Sequence, residues 1–251
     1  MADATACEVL AFVVLPYLAL ALFVGVSWYR YVHRGFSYSA LTSQTLENRL
    51  HFWGVVPFHW GILWVLAGHL VALLIPDAIL SWNATEARAV ILETTGLAAG
   101  LLALGGLLVL IARRLVRPKP RIVWSHADRL LHLILLLQIG SGVLVAATLG
   151  WGSSWFTATA TPYICSLVTF DPDLTRITPL PALVHVHIVL AWLFIAVFPF
   201  TRMVHALVAP LHYEGWEHFT EGRIPAGIHM GNCSAVGGAF APLISTQLLR
   251  A

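Results

Sequence analysis

The stretch PFHWGILWVLAGHL, residues 57–70, decides the fold class of this protein. It has no formally charged side chain, yet it contains two histidines, His59 and His69. It belongs to an apolar run, 52–75, and about 20 such residues are enough to cross the hydrocarbon core of a bilayer as a helix. Amide groups in lipid need partners within the structure, which excludes an open strand. The run therefore predicts a transmembrane helix.

Four further apolar runs have the required length, at 9–29, 89–112, 130–151 and 184–208. Over the whole chain, 59% of the residues are hydrophobic and 10% are charged. Soluble domains carry roughly 25% charged residues, so most of this protein's surface must face lipid. The sequence predicts an all-α, polytopic bundle of five transmembrane helices in the cell membrane, with no nucleic-acid partner.

The basic residues predict the orientation of the bundle. Twelve of the 14 lysines and arginines fall in the first and third loops or around the end of the last run, and only Arg88 and Arg176 fall on the opposite side. The positive-inside rule makes the crowded side cytoplasmic. The N-terminus is therefore predicted outside and the C-terminus in the cytoplasm. Residues 1–210 form the predicted membrane domain, and 211–251 form a cytoplasmic tail that partner subunits would order.

Four histidines lie within the predicted helices: His59 and His69 on the second, and His187 and His205 on the fifth. Ionisable side chains are costly in lipid and indicate a functional site by default. The simpler interpretation is a set of hydrogen bonds between helices, which is less plausible for all four together. Neutral imidazole is a good ligand for iron. The four histidines therefore predict metal ligation, with two haems each held by two imidazoles.

The spacing of these histidines indicates how they pair. At about 100° per residue, the 18-residue step from His187 to His205 returns to the same helix face, and the 10-residue step from His59 to His69 ends about 80° away. The second and fifth helices are predicted to run antiparallel. Hence His59 can face His205 at the inner end, and His69 can face His187 at the outer end. Haem iron that is held by two histidines has no open coordination position, which indicates electron transfer.

Two other histidines compete for these roles. His185 points roughly 200° away from the face of His205, so it is not expected to be a ligand. His51 precedes His69 by 18 residues, the same spacing as on the fifth helix, and this step rises about 27 Å along the helix axis. The 10-residue step from His59 to His69 rises only about 15 Å. His51 lies at the membrane margin beside Arg49. Periodicity alone leaves His51 and His59 as alternatives.

Several segments carry a family resemblance. They are SQTLENR at 43–49, FHWGILWVLAGH at 58–69, ARRLVRPKPR at 112–121, and VHIVLAWLFIAVFPFTRMVH at 186–205. Over roughly residues 10–213 the chain resembles the gamma subunit of respiratory nitrate reductase, a membrane dihaem cytochrome b subunit. The resemblance implies that His59 and His205 bind the inner haem and that His69 and His187 bind the outer haem. It thereby favours His59 over His51.

The resemblance also implies a function and partners. Quinol, either menaquinol or ubiquinol, would be oxidised near the outer haem, and electrons would pass through both b-type haems to an iron–sulfur beta subunit and a molybdenum-containing alpha subunit. Gly68 and His69 match the family's Gly-His pair beside the outer haem. The family's basic residue near the start of the third helix has no counterpart at Ala89, but the adjacent Arg88 can donate a charged hydrogen bond to a quinone carbonyl.

Haem propionates are anionic, and Arg113, Arg114 and Arg202 lie on the predicted inner side, where they can neutralise the propionates of the inner haem or serve only as ordinary positive-inside charges. No catalytic side chain is predicted in the chain itself. Two alternative functions remain open at this stage. The same dihaem subunit could serve another terminal enzyme, such as a nitrite oxidoreductase or a sulfur-compound reductase. A transporter with a histidine proton relay is the other, although such proteins usually have broken helices or internal repeats.

Overall fold

A computed structural model describes residues 5–33, 49–116, 125–150 and 152–201. This part of the chain is helical and has no strand. We number its principal helices α1 (Ala6–His33), α2 (Arg49–Leu74), α3 (Pro76–Asn83), α4 (Glu86–Val116), α5 (His126–Thr148), α6 (the consecutive segments Gly152–Trp155, Phe156–Ala160 and Thr161–Val168) and α7 (Ala182–Val197). The cytoplasmic tail predicted at 211–251 lies outside the described residues, so that division into domains stays a prediction.

Among the described residues, five helices are long and apolar enough to cross a membrane: α1, α2, α4, α5 and, with the turn that follows it, α7. The predicted all-α membrane bundle with five spans is confirmed. Only 17% to 33% of the residues in their most apolar windows are buried within the protein. Their remaining apolar surface therefore requires lipid as its solvent.

The fifth span differs from its prediction at its C-terminal end. The apolar run predicted helix to residue 208, but α7 ends at Val197 and is followed by one 3₁₀ turn, Phe198–Phe200. Thr201 then has an extended backbone. Pro199 lies at this point, and a proline has no N–H to continue the α-helical hydrogen bonds. The 18-residue step from His187 to His205 therefore does not follow one unbroken helix, and the same-face argument for that step is wrong.

An arginine from the first span holds the end of the fifth. The guanidinium of Arg30 donates hydrogen bonds to the carbonyl oxygens of Pro199 and Thr201, the latter at 3.1 Å. These carbonyls lie where the described helix ends. Arg30 therefore fixes the direction in which the chain leaves α7.

Helices α2 and α4 pack with their backbones in close contact. A Cβ atom added at Gly61 would lie 2.5 Å from the amide nitrogen of Ala103, and one added at Gly106 would lie 2.4 Å from that of Phe58. Small residues at such contacts let membrane helices approach closely and gain van der Waals attraction. The phenyl ring of Phe58 belongs to a buried cluster that joins α2, α4 and α5.

The helices form a series of neighbours. Helix α4 packs between α2 and α5, α5 packs against α7, and α7 packs against α1. A second buried cluster, which includes Phe12 and Tyr163, joins α1 to α6 and to the loop before α7. Within the described residues, α2 and α7 have no extended packing against each other. The two helices that carry the predicted ligands are thus connected through their neighbours and not directly.

Candidate functional site

Three of the four predicted ligands lie within the described residues. His59 and His69 are on α2 and His187 is on α7, whereas His205 lies outside. The ring of His69 has an edge-to-face contact with Phe156 of α6, with 5.0 Å between the ring centroids. The pairing of His69 with His187 stays a prediction.

The two histidines of α2 are held in the same way. Nδ1 of His59 lies 2.8 Å from the carbonyl oxygen of Val55, and Nδ1 of His69 lies 2.8 Å from that of Val65. A carbonyl oxygen only accepts, so each Nδ1 carries the hydrogen and donates it. Each Nε2 then has a free lone pair. This arrangement, with one nitrogen bonded to a carbonyl and the other available, is typical of histidines that bind metals.

His187 is oriented by side chains of α5. Its Nδ1 lies 2.9 Å from the hydroxyl oxygen of Ser141, which itself donates a hydrogen bond of 3.0 Å to the carbonyl oxygen of Gln138. Because that bond uses the only hydroxyl hydrogen, Ser141 accepts from Nδ1. The amide nitrogen of Gln138 lies 3.4 Å from Nε2 of His187. Nε2 is therefore the acceptor of this contact and carries no hydrogen.

A glycine of α5 makes room for this imidazole. A Cβ atom added at Gly142 would lie 2.9 Å from Cε1 of His187 and 3.6 Å from Nδ1. At Gly140, on the same helix, an added Cβ would have no atom within 4 Å. Of these two glycines, only Gly142 is required for the position of the ring.

Of the two competing histidines, His185 and His51, the structure describes the side chain of His185. His185 Nε2 lies 2.8 Å from the carbonyl oxygen of Ile177, and its ring packs 5.1 Å from that of Phe12 on α1. This position supports the expectation that His185 is not a ligand. The side chain of His51 lies outside the described residues, so the choice between His51 and His59 still rests on the family resemblance.

Two of the three arginines predicted to contact the inner haem propionates, Arg113 and Arg114, lie in the last turn of α4. Arg113 is buried, with 7% of its surface exposed, near the end of α4. NH1 of its neighbour Arg114 lies 3.5 Å from Nδ1 of His132. Arg202 is outside the described residues. The roles proposed for these arginines as propionate partners stay predictions.

Of the predicted quinol contacts, Arg88 lies at the opposite end of α4, and Gly68 lies on α2. Arg88 is exposed, and its guanidinium carbon lies 5.3 Å from the centroid of the Trp82 ring, a cation–π distance. Gly68 has open space around it, since an added Cβ would meet nothing within 4 Å. Their roles also stay predictions.

The sequence interpretation missed the residues that support His187. Gln138 and Ser141 are polar residues in the apolar run 130–151, and they lie three residues apart, which puts them on one helix face. Polar side chains in a span were the signal that singled out the histidines, and the same signal could have found these two. Gly142 gave no comparable signal, because its neighbour on α7 is distant in sequence.

The comparisons with known proteins agree with this architecture. The model of the nitrate reductase gamma subunit family matches residues 8–220. This chain belongs to that family. The nitrate reductase gamma chain of Bacillus subtilis is 35% identical over 207 residues, which cover 80% of this chain and 91% of that protein. The respiratory nitrate reductase 1 gamma chain of Escherichia coli is 30% identical over 207 residues, with the same two coverages.

A third relative has a different length. The nitrate reductase-like protein NarX of Mycobacterium tuberculosis is 32% identical over 209 residues, which are 80% of this chain but 31% of that protein. Family membership and the five apolar helices identify the chain as a multi-pass cell-membrane protein and as the electron-transfer subunit of a nitrate reductase, an oxidoreductase complex. The other subunits of that complex are its partners.

Proposed function

We propose that this chain is a dihaem cytochrome b subunit that oxidises quinol near the outer membrane face. Electrons then pass through two b-type haems to the iron–sulfur beta subunit and on to the molybdenum-containing alpha subunit. The observation that carries the proposal is the outer pair of histidines. His69 and His187 are each oriented by a hydrogen bond at Nδ1, to the Val65 carbonyl oxygen and to the Ser141 hydroxyl, which leaves Nε2 as the unprotonated nitrogen.

The outer haem would be held by His69 and His187. The family resemblance and two structural features support a fit: both Nδ1 atoms are engaged in hydrogen bonds, and both Nε2 atoms are therefore unprotonated. Iron would replace the Gln138 amide as the partner of Nε2 on His187. Bound haem supplies reversible one-electron chemistry at iron, and two imidazole ligands leave no position for oxygen. The residues of the chain hold and orient the group.

The inner haem would be held by His59 and His205. His59 has the same carbonyl contact as His69, which supports an equivalent role. The two histidines are ten residues apart, so their sites differ by about 15 Å along α2. Arg113, Arg114 and Arg202 are proposed as propionate partners at this end, because cationic groups stabilise carboxylates by charge-assisted hydrogen bonds.

Quinol would bind beside the outer haem, at Gly68 and His69. The open space around Gly68 is compatible with a ring placed close to the α2 backbone. Arg88 is the nearest basic residue in the sequence to the position that the family uses for this purpose, and it would contact a quinone oxygen. Menaquinol and ubiquinol are both candidates for the substrate.

The experiment that tests the proposal uses the complex purified from membranes. A reduced-minus-oxidised absorption spectrum, together with haem extraction, is expected to give two b-type haems for each copy of this chain. A quinol analogue is expected to reduce both haems, and nitrate is expected to reoxidise them. Mass spectrometry should identify an iron–sulfur subunit and a molybdenum-containing subunit that co-purify. A complex without b-type haem, or haems that quinol does not reduce, would contradict the proposal.

A glycine substitution tests the position of His187. Gly142→Ala is expected to lower the occupancy of the outer haem, because the added methyl group would displace the imidazole, and overpacking of this kind costs about 1–3 kcal/mol. Gly140→Ala is the matched control, since an added Cβ meets nothing there. Haem content and the reduced-minus-oxidised spectrum measure both variants. Equal haem content in the two variants would show that the imidazole of His187 is not an outer-haem ligand.

A further inference from the structure

A carboxylate lies inside the third membrane span. Glu93 is in α4, seven residues after the first residue of that helix, Glu86, and therefore about 10 Å further along its axis. Its side chain is partly buried. An ionisable group inside a membrane span is costly and usually has a function. The predicted roles of the histidines and arginines do not account for Glu93.

Glu93 belongs to a polar network that joins three helices. The hydroxyl of Ser153 on α6 donates a hydrogen bond of 3.4 Å to Oε1 of Glu93. The side-chain amide of Asn83, the last residue of α3, donates to the hydroxyl oxygens of Ser153 at 2.9 Å and Ser154 at 3.1 Å. Asn83 adjoins Ala84, which is exposed at the surface. These hydrogen bonds therefore connect Glu93 with the C-terminal residue of α3.

The amide of Asn83 has unused hydrogen-bonding capacity. Its side chain is buried, with 8% of the residue's surface exposed, and its Oδ1 has no hydrogen-bond partner among the described residues. Nearly all buried carbonyl oxygens in proteins accept a hydrogen bond, and an unpaired one is unfavourable. Oδ1 is therefore ready to accept a hydrogen bond from water or from a passing proton carrier. A purely structural amide would be expected to use both of its ends.

The packing of α2 on α4 gives the depth of Glu93. The close contacts pair Gly54 with Leu110, Phe58 with Gly106, and Gly61 with Ala103, so each step along one helix matches an equal step back along the other. Continued along both helices, this register places Glu93 beside Val71. Val71 is two residues from His69, a difference of about 3 Å along the axis. Glu93 thus lies at almost the same depth as the proposed outer haem ligand.

We propose that Glu93 accepts a proton from quinol, and that Ser153 and the Asn83 amide hold its carboxylate in position by hydrogen bonds. The inference rests on the proposed function. Oxidation of one quinol breaks two O–H bonds and yields quinone, two electrons and two protons. The electrons are accepted by the haem irons and, through them, by the terminal enzyme. One proton goes to the Glu93 carboxylate and the other to water at the outer surface, and Glu93 returns to its charged form by releasing its proton to water.

The helices that carry or adjoin this network have other ionisable groups. They are Glu86 and Arg88 on α4, Asp77 on α3, His69 on α2, and Tyr163 and Cys165 on α6. Among them, Arg88 lies five residues before Glu93, about 7 Å further towards the outer end. Glu93 is the carboxylate whose depth matches that of His69. Glu86 and Asp77 lie in the first turns of their helices, nearer the surface.

The test compares Glu93→Gln with Glu86→Gln in the purified complex. Glutamine keeps the size of the side chain and an oxygen that can accept from Ser153, but it cannot take up a proton. Glu93→Gln is expected to lower kcat for quinol-dependent nitrate reduction at least tenfold, within the range for loss of a proton acceptor, with KM and haem content unchanged. Glu86→Gln, on the same helix but at the surface, is expected to behave as the wild type. Glu93→Asp is expected to recover part of the rate.

A second measurement does not depend on turnover. A hydrophobic carbodiimide reacts with protonated carboxyl groups in membranes, so it is expected to label Glu93 in the wild-type complex, and a quinone analogue is expected to protect it. Peptide mass spectrometry locates the label. An unlabelled Glu93, an unchanged kcat in Glu93→Gln, or a loss of haem from that variant would each overturn the inference. If the wild-type complex failed to oxidise quinol, the proposed function itself would be wrong.

Discussion

A complex that carries His69→Ala is expected to contain one haem for each copy of this chain instead of two, and to lose quinol-dependent nitrate reduction by a factor of about 100 or more. The alanine removes one of the two protein ligands of the outer haem, whereas loss of a hydrogen-bonded supporting residue alone commonly lowers metal affinity 10- to 100-fold. Haem extraction and the reduced-minus-oxidised spectrum measure occupancy. A dye that reduces the catalytic subunits directly should still support nitrate reduction.

Two control variants make this result specific. His185→Ala removes an imidazole near His187 that contacts the Ile177 carbonyl oxygen and Phe12 instead, so it is expected to keep both haems. His51→Ala is also expected to keep both, whereas His59→Ala should lose the inner haem. If His69→Ala kept two haems at full occupancy, the ligand assignment would be wrong. If His51→Ala lost a haem and His59→Ala did not, the alternative that periodicity left open would be correct.

The Gly106→Ala variant is expected to be destabilised by about 1–3 kcal/mol or more. The added Cβ would lie 2.4 Å from the amide nitrogen of Phe58 and 2.7 Å from the carbonyl oxygen of Gly54. Both are backbone atoms, so no side chain can rotate to relieve the clash, and α2 and α4 must separate. Thermal unfolding in a fixed detergent, followed by circular dichroism, should give a lower midpoint. Haem loss should accompany unfolding, since α2 carries His59 and His69.

The adjacent glycine is the matched control. A Cβ at Gly105 would meet no atom within 4 Å, so Gly105→Ala should leave the packing unchanged. Alanine is better than glycine in a helix interior by about 1 kcal/mol, and this variant is expected to be as stable as the wild type or slightly more stable. Equal destabilisation by the two substitutions would mean that α2 and α4 do not approach at Gly106.

The membrane architecture was predictable from the sequence alone. Lipid requires about 20 consecutive apolar residues for each span, and this is a property of adjacent residues that no distant contact can alter. The run 52–75 was therefore recognisable without its neighbours, and α2 is continuous through Pro57. The same reasoning singled out His59 and His69, because ionisable groups stand out in an uncharged run.

The end of the fifth span was not predictable in this way. Hydropathy continues to residue 208, but the helix ends where Pro199 interrupts the hydrogen bonds and Arg30 of α1 binds the carbonyls of Pro199 and Thr201. Arg30 is 169 residues away from Pro199 in the chain. A contact between residues so far apart in the sequence depends on how α1 and α7 pack, so the periodicity of one helix cannot predict it.

The sequence by itself determined that this protein is a helical membrane bundle with imidazoles inside its spans. The tertiary structure decided which ring nitrogen of each imidazole is hydrogen-bonded to the protein and which residues surround the ring. Ser141 and Gly142 support His187, Gly106 differs from Gly105, and Glu93 lies at the depth of His69, and each of these facts depends on a neighbouring helix. Spans follow from local composition because lipid acts on each segment separately. Sites follow from helix faces and register, which arise only when the segments pack.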